Sequence, residues 1–333
     1  MLNLTLPAGD PLGVLRSTLP VIQCARQVRL DLTRVASLAA RWAQEGWHTP
    51  EWDAALHFND GTVRTLNWML LTDAMNFCFW AEAGQPRWMV EYRGQTYDGY
   101  LAEVASLMRA IDEGRPLWDA AYLAVLGEAE LHAIFRPAPG APEIPLFAER
   151  LANAHEVGRV LLERYGGQCA RLIESAGGNA VALVKRLVQD FSSFNDVASS
   201  DGAEVRFYKR AQLCAADIHG IFAGQRWGDL SGLDHLTVFA DYKLPQLLRR
   251  EGILLYSPDL AARIDRLDLL PPGSQEEIEI RVATIWAGEL LRRALAEYGI
   301  QARASEIDYH LWVLSQTKSP ADRPYHRTRT IFY

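Results

Sequence analysis

The chain has 333 residues, of which 49% are hydrophobic and 23% are charged. This composition is typical of a globular protein, and the length allows one large domain or two ordinary ones. The formal net charge of −7 and the pI of about 5.7 argue against binding of long nucleic acid, which needs a broad basic surface. A local cluster of cations would still suffice for a small anionic ligand.

The N-terminal segment and the cysteines bear on where the protein acts. The first 20 residues lack the basic start and apolar core of a secretory signal, and no apolar run is long enough to span a membrane. Cys24, Cys78, Cys169 and Cys214 are widely separated and form no CxxC pair, so they do not indicate a zinc or redox site. We therefore expect buried, reduced thiols in a cytoplasmic protein.

The hydrophobic pattern predicts a mainly α-helical protein with at most a small β-hairpin or sheet. Residues 1–20 are rich in turns and are expected to form a loosely packed arm, and a helix follows over residues 21–44 and ends at Gly46. Further helices are predicted over residues 63–80, 100–114, 117–127, 128–135, 146–166, 168–178 and 179–191.

Two stretches interrupt this helical pattern. RWMVEYRGQTYDGY alternates in polarity and is the one good hairpin candidate, with its turn at Arg93-Gly94. Residues 136–145 form a Pro-rich loop, RPAPGAPEIP. We interpret residues 1–333 as one domain, and if it consists of two helical subdomains, their seam is expected near 136–145.

The predicted helix over residues 63–80, which Thr62 can cap, is apolar nearly all round and is therefore expected to be buried. It carries aromatic and polar residues that are candidates for ligand contact: Trp68, Asp73, Asn76, Phe77 and Trp80. One interpretation is an aromatic core helix with a hydrogen-bonded asparagine. The other is a wall on which a flat base stacks while Asn76 and Asp73 bind its edge. The sequence leaves both open.

Two cations stand just before a predicted helix in residues 204–222. Lys209 and Arg210 at a helix start suit a phosphate, because free N–H groups there add to the positive field, although a solvated surface pair explains them as well. Asp217 lies eight residues after Lys209 and is expected on the same helical face. Asp217 and His219 alone do not make a metal site.

An apolar run, LTVFA, leads directly to Asp241, and Lys243 follows. Pro245 is placed where a helix can begin, and Gly252 can end that helix. A carboxylate held between an apolar run and a helix start is either a structural helix cap or a functional group that takes part in catalysis or binding.

The C-terminal part adds a helix and a charged tail. Ser274 and Glu277 are spaced as a capping box, so residues 271–291 are interpreted as a structural helix. The tail PYHRTRTIFY carries His326 and Arg329 before an aromatic end. We expect the final IFY to dock on the protein and to hold Arg329 in place.

Several strings together resemble one family, the queuosine salvage proteins, which are queuosine 5′-phosphate N-glycosylases. The strings are NWMLLTDAMNFCFW, EYRGQTYDGY, VRFYKRAQLCAADI, LTVFADYKLPQLL, GSQEEIEIRVATIWAGELL and HRTRTIFY, and they span roughly residues 60 to 333. The segment NDVASSDGAEV departs from the family pattern and is expected to be a surface loop.

The resemblance implies hydrolysis of the N-glycosidic bond of queuosine 5′-monophosphate to queuine and ribose 5-phosphate, without metal or cofactor, on a helical fold like that of DNA glycosylases. Breaking this bond builds positive charge on the sugar, so a carboxylate is expected near that carbon, and Asp241 is the candidate. The expected substrate contacts are Asn76 or Asp73 for the base edge, Asp217 for the queuine ammonium, Trp68, Phe77 and Trp80 for stacking, and Lys209, Arg210 and Lys243 with His326 or Arg329 for the phosphate.

Two other functions compete with this interpretation. A non-catalytic binding protein for a modified nucleoside or for tRNA would also need aromatic residues and cations, although the acidic pI weighs against tRNA. A DNA-repair glycosylase would need a basic DNA-facing surface and a glycine hairpin between helices, and the sequence shows neither.

Overall fold

The structure is a computed structural model that describes residues 3–52 and 55–333. The chain divides into two compact units. The first unit comprises Met1–Glu51, Asp196–Gln212 and Gly232–Arg329. The second comprises Trp52–Asn195, Leu213–Ser231 and Thr330–Tyr333. The predicted seam at residues 136–145 lies inside the second unit, and the assignment of the whole chain to a single domain stays a prediction.

The described residues form fourteen α-helices and six short strands, which confirms a mainly α fold. The helices are α1 (Val14–Cys24), α2 (Leu32–Glu45), α3 (Val63–Met75), α4 (Gly99–Asp112), α5 (Ala120–Ala124), α6 (Glu128–Ile134), α7 (Phe147–Tyr165), α8 (Cys169–Ser175), α9 (Ala180–Asp190), α10 (Lys209–Ile221), α11 (Lys243–Arg250), α12 (Pro258–Asp265), α13 (Gln275–Ala296) and α14 (Ala304–Gln316). The strands are β1 (Val28–Leu30), β2 (Met89–Tyr92), β3 (Gln95–Asp98), β4 (Val197–Ser200), β5 (Ala203–Arg206) and β6 (Leu254–Tyr256). They pair antiparallel as β1–β6, β2–β3 and β4–β5.

Helix α13 is the centre of the first unit, where it packs against α1, α2, α11, α14 and β1. It is buried on all sides from Glu277 to Leu291, as expected for a helix that neighbours surround. Its buried Glu279 accepts hydrogen bonds from the backbone N–H groups of Arg26, Gln27 and Val28, at 2.6–3.2 Å. One carboxylate thereby fixes the backbone that joins α1 to β1.

The predicted cap of α13 is confirmed in part. The Ser274 hydroxyl accepts a hydrogen bond from the Glu277 N–H at 3.3 Å, so Ser274 is the cap. The Glu277 carboxylate accepts from the Gly273 N–H at 3.1 Å instead of the Ser274 N–H that a capping box requires.

Helix α3 occupies the corresponding position in the second unit and packs against α4, α7 and α8. Every residue from Thr65 to Met75 is buried, and the predicted Thr62 cap is confirmed by a 3.1 Å hydrogen bond from the Arg64 N–H. The helix ends at Met75, so the expectation that it extends to residue 80 is wrong. Asn76 is its C-cap residue and the aromatic residues that follow lie on non-helical backbone.

The expected loose arm over residues 1–20 is wrong in its second half. Helix α1 begins at Val14 and buries Val14, Leu15 and Thr18. The single helix predicted over residues 21–44 is also wrong, because β1 interrupts it and α2 is a separate helix. Asp31 caps α2 through the N–H groups of Thr33 and Arg34, and Gly46 ends it in the left-handed conformation as predicted.

The hairpin with its turn at Arg93-Gly94 is confirmed as β2–β3. A second hairpin, β4–β5, replaces the surface loop that we expected at NDVASSDGAEV. Its turn is Asp201-Gly202, with φ values of 50° and 78°. Both central residues of a tight hairpin turn of this type need positive φ, and Asp-Gly is a preferred pair for it.

The cysteines are all free, and Cys78, Cys169 and Cys214 are buried as expected. Cys24 is exposed, which contradicts the expectation for that residue. The cytoplasmic location inferred from these thiols stays a prediction. No helix in the described part of the chain has the length and apolarity needed to cross a membrane.

Candidate active site

Asp241 lies directly before α11 and is partly exposed. Its Oδ1 atom accepts hydrogen bonds from the N–H groups of Lys243 and Leu244, both at 2.8 Å, and so caps the helix. Its Oδ2 atom accepts no hydrogen bond from any residue that the structure describes. The carboxylate is therefore a helix cap through one oxygen and is available to a ligand through the other.

The surroundings of Asp241 shift its pKa in two opposite directions. Burial raises the pKa of Asp241 above its ordinary value, while Lys209, the two N–H groups at the helix start and Lys243 lower it. The two cations and the helix N-terminus favour the ionised form. The carboxylate therefore combines limited hydration with nearby positive charge.

Side chains, and not a neighbouring strand, hold the LTVFA segment that precedes Asp241. The Thr237 N–H donates to Gln212 Oε1 at 2.9 Å, and the Phe239 N–H donates to Asp308 Oδ1 at 2.6 Å. Gly288 of α13 lets this segment approach closely, since a Cβ atom there would lie 2.3 Å from Val238 Cγ1. The apolar run therefore delivers the acid to a fixed place, as expected.

Arg281 of α13 binds the same segment at its end. Its Nε atom donates to the Ala240 carbonyl at 3.1 Å, and its two Nη atoms bind the Asp196 carboxylate at 3.0 and 2.5 Å. Asp196 Oδ2 also accepts from the Lys209 N–H at 3.2 Å. These bonds connect the backbone beside Asp241 to the start of α10.

The predicted phosphate cations differ in their surroundings within the first unit. Lys209 and Arg210 are 6% and 1% exposed, so neither is a solvated surface cation. Lys243 is partly exposed, and its Nζ atom lies 5.6 Å from the centre of the Tyr325 ring. Arg329 is exposed. Their binding of a phosphate stays a prediction.

His326 is 1% exposed, and its environment removes its charge. Burial, followed by the charge of Arg281, lowers the pKa of His326 to about 3. The imidazole is therefore neutral near pH 7, so it can offer a hydrogen bond but not the positive charge that we expected of it.

In the second unit, the segment that follows α3 is held from several directions. The Arg150 guanidinium donates to the carbonyls of Met75 and Phe77 and lies 4.2 Å from the centre of the Phe77 ring. Asn153 donates to the Ala74 carbonyl at 2.7 Å. We call residues 74–80 the aromatic segment. Its backbone is fixed largely by buried side chains of α7.

The C-terminal residue also binds the aromatic segment. The Cys78 N–H donates to the Tyr333 carbonyl at 2.9 Å, and Tyr333 is 2% exposed. The prediction that the IFY end docks is therefore confirmed for Tyr333.

Asn76 is the one partly exposed residue of the aromatic segment, whose other residues are buried. Its side chain makes no hydrogen bond to any other described residue. The interpretation of Asn76 as a satisfied core residue is therefore not supported, and its amide remains available for a ligand such as a base edge. Phe77 and Trp80 are 1% and 2% exposed.

Asp73 lies deeper, with 0% exposure. Burial and then the Asp73 carboxylate raise the pKa of Cys169 to about 12, and burial and Asp73 also raise that of Cys214. Asp73 therefore faces two buried thiols. Trp68 is 0% exposed as well, with the His57 ring at 5.7 Å in an edge-to-face arrangement. For these two residues, ligand contact stays a prediction.

Asp217 and His219 have partners of their own in the second unit. The Trp52 Nε1–H donates to Asp217 Oδ1 at 3.3 Å, and His219 Nδ1 lies 2.8 Å from the Gly228 carbonyl oxygen. Within residues 3–52 and 55–333, no three His, Cys, Asp or Glu side chains are grouped as a metal would require. The role of Asp217 toward an ammonium group stays a prediction.

Sequence analysis did not identify Arg281, Asp196 or Arg150. The available signal was an arginine within an apolar helical stretch, as in IEIRVATIW, because a charged residue there needs a buried partner. Asp196 gave no such signal, since it stands in a segment that we interpreted as a surface loop.

Comparison with known proteins places this chain in a family. A family model described as queuosine salvage protein matches residues 56–333. The chain belongs to the queuosine salvage protein family. The resemblance drawn from the sequence strings is therefore confirmed.

Relatives of this queuosine salvage family member match nearly its full length. A protein of Sphaerobacter thermophilus, named queuosine 5′-phosphate N-glycosylase/hydrolase, is 47% identical over 325 residues, which are 98% of this chain and 99% of the relative. Proteins with the same name from Mus musculus and Schizosaccharomyces pombe are 34% and 33% identical, and they cover 98% and 88% of this chain and 100% and 85% of their own lengths.

Proposed function

We propose that this protein hydrolyses the N-glycosidic bond of queuosine 5′-phosphate and releases the base queuine and ribose 5-phosphate. The proposal rests on family membership and on the 47% identity to a full-length relative that carries the name of this activity. The observation that supports the proposed chemistry is that Asp241 Oδ2 accepts no hydrogen bond from the described residues and can therefore bind a ligand. The buried cations Lys209 and Arg210 agree with a small anionic substrate.

Asp241 would act on the sugar. As the bond to the base breaks, positive charge develops at C1′ and on the ring oxygen, and a carboxylate nearby stabilises that charge. Oδ1 is held by two N–H donors of α11, so Oδ2 is presented in a fixed direction without reorganisation. The same oxygen can orient the water that attacks C1′ and accept its proton.

The leaving base needs activation from another group. Queuine is a 7-deazaguanine and lacks the N7 atom on which purine glycosidases often place a proton. Hydrogen bonds to its remaining edge must therefore stabilise the departing anion. The Asn76 side-chain amide makes no hydrogen bond to another described residue, which supports the proposal that Asn76 binds the edge of the base.

Release of free base decides between an enzyme and a binding protein. We expect the purified protein to convert queuosine 5′-phosphate to queuine, measured by liquid chromatography with mass detection. Asp241→Asn should keep the helix cap and reduce kcat by about 10²–10⁴-fold, the range for loss of a group that activates a nucleophile.

Guanosine 5′-monophosphate incubated in parallel controls for a general nucleotidase or nucleosidase. If the protein binds the nucleotide and releases no base, it is a binding protein and the proposal fails. If Asp241→Asn turns over as fast as the unmodified protein, the catalytic carboxylate is another residue.

A further inference from the structure

Arg281 makes contacts that the chemistry above does not use. It is 2% exposed, yet its guanidinium binds both the Asp196 carboxylate and the Ala240 carbonyl. Its Nη1 atom also lies 3.6 Å from Glu277 Oε1. Ala240 immediately precedes Asp241, so one side chain of α13 fixes the backbone at the proposed catalytic acid.

Asp196 extends this connection to the start of α10. Its Oδ2 atom accepts from the Lys209 N–H at 3.2 Å, and its backbone oxygen accepts from the N–H groups of Phe207 and Tyr208, both at 3.0 Å. Tyr208 has a φ of 50°, a conformation that is unfavourable for a bulky residue and persists only where surrounding contacts impose it. The direction in which Lys209 leaves this turn therefore depends on Asp196.

The chemistry of the Arg281–Asp196 ion pair indicates that it positions neighbouring groups. A buried ion pair loses the hydration of both partners and often contributes little net stability. A guanidinium can hold a carboxylate through two parallel bonds and a carbonyl through a third, because its donors have fixed directions. The Arg281 guanidinium also lies 3.8 Å from the centre of the Phe207 ring, which restricts its plane.

We propose that Arg281 is a positioning residue for the hydrolysis: it fixes Asp241 through the Ala240 carbonyl and Lys209 through Asp196, and so sets the distance between acid and cation. This inference rests on the proposed function. Among the described residues, the charges that act on Asp241 are those of Lys209 of α10 and Lys243 of α11, while Arg281 of α13 acts on it only through the Ala240 carbonyl.

A consequence follows for the titration of Asp241. Lys209 lowers the pKa of Asp241 and opposes the effect of burial. If Lys209 loses its backbone anchor and moves away, the acid becomes harder to ionise. The Asp241 pKa and the acid limb of kcat against pH should both move to higher pH.

Arg281→Lys tests the proposal, because a lysine keeps the charge but cannot make the three directed bonds. The matched control is Arg293→Lys on the same helix, where Arg293 binds Glu289 and the Thr5 carbonyl. Arg293 lies twelve residues further on, about 18 Å along the helix axis. Kinetics with queuosine 5′-phosphate and carbon-13 NMR titration of the Asp241 carboxyl group, assigned by Asp241→Asn, are measured for both variants.

We expect Arg281→Lys to lower kcat by about 10²-fold, the cost of misplacing a catalytic group by about 1 Å, with a smaller change in KM. The titration midpoint of Asp241 in Arg281→Lys should lie at higher pH than in the unmodified protein. Arg293→Lys should resemble the unmodified protein in both measurements. If the Asp241 midpoint in Arg281→Lys is unchanged, Arg281 supports only the fold and the proposal is wrong.

The NMR titration needs no turnover, so it separates two kinds of failure. An unmodified protein that releases no base would disprove the proposed function, and the titration would still decide whether Arg281 positions Asp241. If Arg281→Lys does not fold, Asp196→Asn replaces it, because a single amide oxygen cannot accept both guanidinium donors and the Lys209 N–H as the carboxylate does. A shift in the same direction supports the proposal, and no shift contradicts it.

Discussion

Capping of α11 by Asp241 does not exclude the catalytic role that we propose for this residue. Its two carboxylate oxygens are in different surroundings: Oδ1 binds the start of α11, and Oδ2 has no partner among the described residues. The cap restrains the side chain, and the restraint gives the second oxygen a defined direction. His326 shows the opposite case, because burial leaves it without the charge that its residue type suggests.

The raised pKa of Asp241 predicts a pH-dependent effect on stability. Because the folded-state pKa lies above the ordinary value of 3.8, ionisation of this group costs folding free energy once the pH exceeds 3.8. Asp241→Asn should therefore be at least as stable as the unmodified protein at pH 7.5. Its advantage should shrink as the pH falls toward 3.8, and Tm measured across this range by calorimetry checks the prediction.

The control for this prediction is Asp31→Asn, which makes the same substitution at the cap of α2. It reports the cost of exchanging an aspartate for an asparagine at a helix start. A clear loss of Tm in Asp241→Asn at pH 7.5, beyond that in Asp31→Asn, would mean that the Asp241 charge stabilises the fold.

At the scale of elements, each unit has a helix buried on all sides, and both helices carry or meet buried arginines. Arg281 belongs to α13 itself, while Arg150 of α7 donates to the Phe77 carbonyl on the backbone that follows α3. In both cases a guanidinium satisfies carbonyl groups on non-helical backbone. Irregular backbone that is buried in this way must obtain its hydrogen bonds from side chains.

Replacement of Arg150 by lysine should destabilise the aromatic segment. Arg150 is 0% exposed and supplies donors to the carbonyls of Met75, Phe77 and Pro145. A lysine cannot reach all three. The Met75 carbonyl keeps the Phe77 N–H as a donor, and each of the other buried carbonyls left without one costs about 1–3 kcal/mol. We expect the free energy of unfolding to fall by about 2–4 kcal/mol, measured by urea titration with tryptophan fluorescence.

Arg159→Lys is the control on the same helix, since Arg159 forms an exposed pair with Glu163. Such a pair contributes little, so exchanging its arginine for a lysine should change the free energy of unfolding by less than about 0.5 kcal/mol. Equal stability of the Arg150 and Arg159 variants would contradict the role given to Arg150.

At the scale of the whole molecule, the acidic charge limits the ligands that the protein can bind. A net charge of −7 repels a polyanion as a whole, while a small nucleotide needs only a local cluster of cations. Each compact unit is built from three separate segments of the chain, so residues that are close in space within a unit can be far apart in sequence.

This charge predicts a preference for the free nucleotide over intact tRNA. Bulk tRNA added at a concentration equal to that of queuosine 5′-phosphate, in buffer of physiological salt, should leave the rate of queuine release unchanged within about 20%, the ordinary precision of such rates. Repeating the assay at low salt, where electrostatic attraction is strongest, makes the test stringent. Inhibition by tRNA that weakens as salt is added would show a polyanion site that the net charge does not indicate.

Residue patterns alone were enough to predict the helical class, the Arg93-Gly94 hairpin, the caps at Thr62 and Ser274, and the family. These features depend on local patterns: hydrophobic periodicity, residues that favour turns and caps, and conspicuous strings. The Asp201-Gly202 pair is an equally local signal for the β4–β5 hairpin.

Folding determines that a single oxygen of Asp241 caps α11, that His326 is neutral, and that Arg281 and Asp196 connect Asp241 to Lys209. These properties depend on burial and on partners far away in the chain: Asp196 and Arg281 are 85 residues apart. A sequence pattern identifies the type of a residue. The charge state and orientation of its side chain are set by the neighbours that folding places around it.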